Sequence, residues 1–280
     1  MSAMLYLVPT PIGNLGDISQ RCRETLEAAD FIAAEDTRVT LKLLNHLGIK
    51  KSLVSYYEHN KAAQGSRIVE RILGGETCAL VSDAGSPAIS DPGGDLVKQC
   101  AAAGIPVCAI PGPCAAITAL SISGQATGRF CFEGFLSTAK KSRREHLESL
   151  KSEQRTMIFY EAPHKLLTTL SDMAEVFGGD RPLSLCRELT KLHEEVVRTT
   201  LSEALERYTE NPPKGEFVLI VAGAKPEEKE IPSETDAAAR LAELIAQGLS
   251  RKDAVKQTAK ELGLSKNAVY EIALKDSEKE

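Results

Sequence analysis

The sequence predicts an α/β fold with two α/β domains, a parallel-sheet N-terminal domain and a mixed-sheet second domain, followed by a small helical unit. Strand-like and helical segments alternate from Met4 to about Pro113, which is typical of a parallel sheet covered by helices. Between residues 114 and 224 some strand-like segments follow one another directly, which indicates a mixed sheet. The charged, proline-bearing segment 225–235 predicts a linker before a helical unit at 236–280.

The first domain, residues 1–113, consists of short apolar strands separated by helical segments. Each strand ends at a cluster of turn-forming residues, which is how a buried parallel strand stops. Strands are predicted at 5–8, 31–34, 53–55, 78–81 and 107–110, and helices at about 19–29, 38–47, 60–73 and 93–103.

The second domain, residues 114–224, shows a looser pattern. Its β-branched and aromatic runs predict strands, and helical segments separate only some of them. Strands are predicted at 130–135, 156–160, 182–187, 194–200 and 216–222, and helices near 115–122, 142–151, 163–176 and 202–210.

The C-terminal unit contains three short helical segments, at about 236–247, 251–262 and 266–274. Ser250 and Ser265 stand at N-cap positions, and Gly263 closes the middle helix. The arrangement resembles a helix-turn-helix. Two interpretations stay open, a small packing or dimerisation module and a nucleic-acid-binding unit.

Composition excludes several classes of protein. The 280 residues carry 34 basic and 39 acidic side chains, so any contact with nucleic acid must come from local patches. The seven cysteines include no CxxC pair, which predicts a reducing cytoplasm and no structural metal site. The five histidines form no HExxH pattern, so zinc chemistry has no support. The N-terminal residues lack a basic start, and no apolar run is long enough to span a membrane. The sequence therefore predicts neither a signal sequence nor a membrane span.

Three strands of the first domain open into stiff, glycine-bearing loops, at 9–17, 82–94 and 111–113. The carboxyl ends of strands in a doubly wound sheet line the crevice in which ligands bind. Glycine lets the backbone approach a ligand closely, and proline stiffens the loop. Because none of the loops reads GxGxxG or GxxxxGK[ST], the predicted ligand is neither NAD nor ATP.

Charged residues follow the strand at 31–34. Glu35 or Asp36 could accept a proton or orient a hydroxyl group, and Arg38 could hold a phosphate. The alternative is structural, with Asp36 or Thr37 as the N-cap of a helix and Arg38 in solvent.

Further cations stand near other strand ends. Arg187 ends the strand at 182–187, and Lys140, Lys141, Arg143 and Arg144 follow the strand at 130–135. Four cations at the start of a helix oppose its dipole, so something must compensate them. Bound phosphates would do so, and so would a solvated loop.

Taken together, the motifs resemble the ribosomal RNA small subunit methyltransferase I group of the tetrapyrrole methylase superfamily. The resemblance spans residues 4–224 through TPIGNLGD, AAEDTR, SDAGSPAISDPG, IPGPCAA, FEGFL, FYEAPHKL, CRELTKLHEE and GEFVLIV. It implies two α/β domains of tetrapyrrole methylase type, S-adenosylmethionine as methyl donor and a homodimer. The implied acceptor is the ribose 2′-hydroxyl of a decoding-centre cytidine in 16S rRNA of the small ribosomal subunit.

The resemblance also implies roles for individual residues. Gly85-Ser86-Pro87 stands where the wider superfamily has Gly-Asp-Pro. Apart from the resemblance, we hypothesise Asp36 or Glu35 as the base or orienter, with Arg38 and Arg187 near backbone phosphates. Gly13 and Asn14 join the four cations 140, 141, 143 and 144 on the predicted RNA side. The implied cofactor contacts are Pro11, Asp83, Ala84, Gly85, Ser86, Pro87, Ile89, Pro111, Gly112, Pro113, Thr118, Phe132, Glu133 and Phe135.

Two other functions remain as alternatives at this stage. One is a tetrapyrrole C-methyltransferase, which would need an open trough for a flat macrocycle. The other is a regulator whose sheet domain senses a metabolite while residues 236–274 read DNA.

Overall fold

The computed structural model describes residues 3–225 and 233–277. They belong to two compact units, Met1–Ala224 and Lys225–Glu280. Most of the predicted linker, residues 226–232, and the last three positions of the predicted C-terminal unit, 278–280, lie outside the described residues.

The first sheet contains β1 (Leu5–Leu7), β2 (Phe31–Ala34), β3 (Ser52–Ser55), β4 (Cys78–Val81) and β5 (Val107–Ala109), and its helices are α1 (Gln20–Ala28), α2 (Thr37–Leu47), α3 (Lys61–Leu73) and α4 (Gly93–Ala102). The sheet is fully parallel, as the sequence predicts, with the strand order β3-β2-β4-β1-β5. Alternate residues of β2 face opposite sides, so Phe31 and Ala33 enter one apolar core while Ile32 and Ala34 enter the other.

The second sheet is mixed, which confirms the prediction. The chain runs through α5 (Ala115–Ser123), β6 (Phe130–Phe135), α6 (Lys140–Ser149), β7 (Thr156–Glu161), α7 (Leu166–Phe177), β8 (Pro182–Arg187), β9 (Glu195–Thr200), α8 (Leu201–Glu210) and β10 (Phe217–Val221). The strand order is β6-β7-β10-β8-β9, with β6 and β7 parallel and the other pairs antiparallel.

The helices of this part cover both faces of the second sheet. The larger apolar core lies on one face beneath α6, α7 and α8, and α5 covers the other face. Helix α7 begins at Leu166 rather than at the predicted residue 163, because residues 162–165 form a turn closed by Lys165 N–H on the carbonyl of Ala162 (3.0 Å). The strands of the first sheet all precede Pro113 in the chain, and those of the second sheet all follow it. The domain boundary near Pro113 itself stays a prediction.

The C-terminal unit is a three-helix arrangement of α9 (Glu234–Ala246), α10 (Arg251–Leu262) and α11 (Lys266–Ser277). Helix α9 begins before the predicted residue 236 because Ser233 and Asp236 form a capping box. Ser250 caps α10, which ends at Gly263 in the left-handed conformation, as predicted. The core of the unit is apolar and contains Leu241, Leu244, Ala254, Val255, Ala259, Val269 and Ala273.

Within the described ranges no helix is long and apolar enough to cross a membrane. The same residues bring together no group of three or more His, Cys, Asp or Glu side chains that could hold a metal ion.

Candidate active site

The three predicted ligand loops meet at the carboxyl edge of the parallel sheet. Thr10 and Gly85 form a two-way backbone bridge, with both N···O distances at 3.0 Å. The Ser86 hydroxyl donates to the carbonyl of Pro113 (2.9 Å). Gly85 has φ +88°, a conformation that favours glycine. The loops after β1, β4 and β5 therefore form one connected rim.

A cleft of about 400 Å³ lies between this rim and the second sheet. That size suits a small-molecule ligand. Seven of the predicted site residues line it: Glu35, Asp83, Ala84, Gly85, Ser86, Ile89 and Phe135. The remaining lining residues are Ile12, Ser82, Ser90, Asp91, Cys114, Ala115, Tyr160, Glu161, Ala162, Cys186, Leu189, Lys191, Glu216, Phe217 and Val218.

Eight other residues predicted to bind the cofactor do not line this cleft, and several of them have structural partners. A Cβ on Gly112 would lie 2.7 Å from the Pro9 side chain, so this glycine permits close loop packing. The Thr118 hydroxyl donates to a carbonyl within its own turn of α5, and the Glu133 carboxylate meets His146 Nε2 at 2.9 Å. The residues outside the cleft wall are Pro11, Pro87, Pro111, Gly112, Pro113, Thr118, Phe132 and Glu133.

Glu35 is the predicted catalytic residue that lines the cleft. The residue after Glu35 is tied to the loop after β4, because the Asp83 carboxylate accepts the N–H of Asp36 (2.9 Å). This bond joins the ends of the neighbouring strands β2 and β4. Burial, and then the nearby carboxylates of Asp83 and Asp91, raise the pKa of Glu35. A carboxylate with a raised pKa is the better proton acceptor.

Asp36 and Arg38 form a separate pair outside the cleft wall. Asp36 caps α2, with its carboxylate accepting the N–H of Arg38 (2.8 Å), and it pairs with the Arg38 guanidinium at 2.6 Å. The hydrogen bonds from Arg38 lower the pKa of Asp36 to about 2. Such a carboxylate is a weak base, so the structure favours the N-cap interpretation of Asp36.

The loop at 88–93 is held in an uncommon backbone conformation at the edge of the cleft. Ala88 and Ser90 have φ of +70° and +65°. The Asp91 carboxylate fixes the loop by accepting the N–H groups of Ala88 (2.9 Å) and Gly93 (2.7 Å). Positive φ in non-glycine residues costs energy and clusters at ligand sites.

An aromatic wall forms where β6 and β7 pair. The register shifts between Phe132 and Gly134, and Gly134 has φ +64°. This bulge brings Phe132 and Phe135, three residues apart, onto the same side of the strand. Both rings pack edge-on against Tyr160, with centroids 5.1 and 5.4 Å away, and the Tyr160 hydroxyl accepts the N–H of Ala116 (3.2 Å).

The predicted phosphate contact Arg187 has protein partners. Its Nε donates to Glu195 Oε2 at 3.1 Å, and Glu195 also binds Arg207 at 2.7 Å. Arg187 does not line the cleft.

The cation cluster at the start of α6 divides into two groups. Lys140 and Lys141 are exposed. Arg143 is buried, with Nε 2.7 Å from Asp172 Oδ2 and Nη1 3.2 Å from the carbonyls of Ser137 and Thr138. The Arg143 guanidinium is therefore used inside the protein, and its contact with RNA stays a prediction.

Arg144 also has a partner on α7. It pairs with Glu175, and both side chains are partly exposed. Carboxylates of α7 thus compensate two of the four cations at the start of α6.

The Arg143–Asp172 pair should contribute strongly to stability. Arg143→Met leaves the Asp172 carboxylate buried without its partner, and the expected loss in the free energy of unfolding is about 3–5 kcal/mol. Arg144→Met is the matched control, because it breaks a partly exposed pair worth at most about 1 kcal/mol. Urea denaturation of both variants measures the difference. Equal losses would contradict the structural role of Arg143.

The residues that sequence analysis missed come mainly from the second sheet. Antiparallel pairing sets Phe217 at the start of β10 opposite Glu161 of β7 and Arg187 of β8. Three distant segments thereby meet at one end of the sheet. The signal was present in part, because Tyr160, Glu161 and Lys191 stand at or just after strand ends, but pairing order cannot be read from strand-end position.

Comparison with known proteins agrees with this architecture. The family model described as Tetrapyrrole (Corrin/Porphyrin) Methylases matches residues 4–205, and the RsmI C-terminal HTH domain model matches residues 232–277. Two relatives are named Ribosomal RNA small subunit methyltransferase I. The protein from Synechocystis sp. is 50% identical over 97% of each chain, and the one from Halalkalibacterium halodurans is 51% identical over 96% of this chain and 93% of its own.

A solved structure shares the fold. Uroporphyrin-III C-methyl transferase from Thermus thermophilus, complexed with S-adenyl homocysteine, has a TM-score of 0.57 at 15% identity, covering 78% of this chain and 97% of that chain. The two α/β sheets of the present protein and its family match define its class, a methyltransferase with the tetrapyrrole methylase fold. Within that class the chain belongs to the ribosomal RNA small subunit methyltransferase I family.

Proposed function

We propose that this protein transfers a methyl group from S-adenosylmethionine to the ribose 2′-hydroxyl of a decoding-centre cytidine in 16S rRNA. The name shared by relatives at 50% and 51% identity supports small-subunit ribosomal RNA as the acceptor. The motif resemblance supports the ribose oxygen and the nucleotide. In this proposal the protein acts in the cytoplasm as a homodimer.

The acidic, aromatic-walled cleft is the observation that carries the proposal. S-adenosylmethionine has a sulfonium and an ammonium group, and the acidic residues Asp83, Asp91 and Glu161 line the cleft. Opposite charges stabilise such a ligand at close range. Phe135 offers an aromatic face for the adenine ring. The volume and the chemistry of the cleft therefore fit this cofactor.

The bound cofactor would supply an electrophilic methyl group. The loops after β1, β4 and β5 would position it, and holding reactants in line contributes roughly 7–11 kcal/mol in favourable cases. A ribose hydroxyl is a poor nucleophile at neutral pH, and a base adds about 10²- to 10⁴-fold in rate. Glu35 is the proposed proton acceptor. Apolar side chains of Ile12, Ile89 and Leu189 would limit water in the cleft.

Exposed groups outside the cleft would meet the RNA backbone. Lys140 and Lys141 are exposed at the start of α6, and the Arg38 side chain is 87% exposed. Gly13 and Asn14 lie in the loop after β1. Backbone phosphates would add charge-assisted hydrogen bonds to these cations.

A transfer assay tests the proposal. The full-length protein is incubated with methyl-labelled S-adenosylmethionine and either small ribosomal subunits or a uroporphyrinoid. We expect label in 16S rRNA and none in the macrocycle. Label in the macrocycle alone would favour a tetrapyrrole methylase, and selective binding of the unmodified protein to one DNA duplex would favour the regulator.

A further inference from the structure

The ammonium group of Lys191 is held at the wall of the cleft by two glutamates. Its Nζ donates to Glu188 Oε1 at 2.8 Å and to Glu216 Oε2 at 2.9 Å. An ammonium group has three N–H donors, so one remains for a ligand. Among the described residues that line the cleft, Lys191 is the one cationic side chain.

The loop that carries Lys191 is fixed by its surroundings. Glu188 and Thr190 have positive φ, +51° and +65°. Glu188 Oε1 also accepts the N–H of Glu216 (2.9 Å), and Glu194 accepts the N–H of Thr190 (2.6 Å). Backbone in such conformations persists only where neighbours determine it, and it concentrates at functional sites.

The loop after β1 packs directly on the Lys191 stem. A Cβ on Gly13 would lie 2.5 Å from Lys191 Cγ, 2.8 Å from Thr190 Oγ1 and 3.0 Å from the Leu189 carbonyl. Lys191 therefore lies where elements from both sheets meet, next to the loop proposed to contact RNA.

Lys191 is a hydrogen-bond donor rather than a base. Burial opposes its charge, but hydrogen bonds to Glu188 and Glu216 outweigh burial and raise the pKa of Lys191. The side chain stays an ammonium group at neutral pH. Glu35, which lines the cleft from the first sheet, is the proposed proton acceptor.

We propose that the third N–H of Lys191 donates to the ribose oxygen that receives the methyl group. This inference rests on the proposed function. As the oxygen–carbon bond forms and the carbon–sulfur bond breaks, the hydroxyl proton passes to the Glu35 carboxylate and Lys191 keeps all its protons. The ammonium group stabilises negative charge that develops on the oxygen, as donors aimed at a developing oxyanion do.

The test compares Lys191→Met and Lys191→Arg in the full-length protein. Calorimetry measures the affinity for S-adenosylhomocysteine, and single-turnover assays measure methyl transfer to small ribosomal subunits. Lys191→Met should bind S-adenosylhomocysteine as the wild type does and transfer methyl about 10²- to 10³-fold more slowly. Lys191→Arg, which keeps the charge and can keep the ion pairs, should recover part of the rate.

Lys214→Met is the matched control, because it removes an exposed cation from the segment before β10 and should change neither measurement. Loss of S-adenosylhomocysteine binding in a folded Lys191→Met variant would overturn the inference, because Lys191 would then hold the carboxylate of the donor. An unchanged transfer rate would overturn it too. A wild-type protein that binds S-adenosylhomocysteine but leaves rRNA unmethylated would refute the proposed function, and the acceptor contact with it.

Discussion

Glu35→Gln should lower methyl transfer by about 10²- to 10⁴-fold while cofactor affinity stays near that of the wild type. The change keeps the size of the side chain, but an amide cannot accept the hydroxyl proton. Single-turnover methylation of small ribosomal subunits measures the rate, and calorimetry measures binding. An unchanged rate would remove Glu35 from the mechanism.

Asp36→Asn is the matched control for Glu35→Gln. It removes a neighbouring carboxylate that caps α2 and binds Arg38 outside the cleft wall. Asparagine is itself a good N-cap, so the helix should keep its start. We expect much less loss of rate than in Glu35→Gln.

The pH dependence of the rate should follow Glu35. The base works in its ionised form, and burial together with Asp83 and Asp91 raises the pKa of Glu35. The protonated, inactive form therefore persists to a higher pH than for an ordinary carboxyl group. Turnover should fall as the pH drops through this raised pKa, and Glu35→Gln should remove that step.

Gly85→Val should abolish tight cofactor binding and destabilise the fold. Gly85 has φ +88°, and an added Cβ would lie 3.3 Å from Ile12 Cγ2 and 3.6 Å from the Pro113 carbonyl. Backbone strain costs about 1–3 kcal/mol. The branched side chain would also separate the loops that form the rim, so we expect affinity for S-adenosylhomocysteine to fall by more than about tenfold.

Gly48→Val is the control that separates the effect of backbone strain from the effect of damage to the rim. Gly48 has φ +72° at the end of α2, and nothing lies within 4 Å of an added Cβ. The Gly48→Val variant should lose about as much free energy of unfolding as Gly85→Val, while its affinity for the cofactor stays unchanged. Equal loss of affinity in both variants would show that general destabilisation, rather than the rim, is responsible.

The sequence predicted the sheets well because their patterns are local. Apolar runs such as Cys78–Val81 are followed by loops with glycine and proline, so the strand ends could be located before any pairing was known. The capping residue Ser250 likewise marked the start of α10. The Thr10–Gly85 bridge then follows from strand order, because β1 and β4 are neighbours.

The second wall of the cleft could not be predicted in the same way. Lys191 and Glu216 meet because β10 pairs between β7 and β8, an arrangement between segments distant in sequence. Arg143 looked like its neighbour Arg144, yet one is buried against Asp172 and the other partly exposed. Burial depends on how α6 packs on α7, which charge patterning does not show.

Mapping the methylated nucleotide tests the central proposal most directly. In a strain lacking this gene, we expect one decoding-centre cytidine of 16S rRNA to lose its ribose 2′-O-methyl group. The wild-type gene should restore it, and Glu35→Gln should not. The contradicting result would be that every decoding-centre cytidine with a ribose 2′-O-methyl group in the wild type keeps that group in the deletion strain.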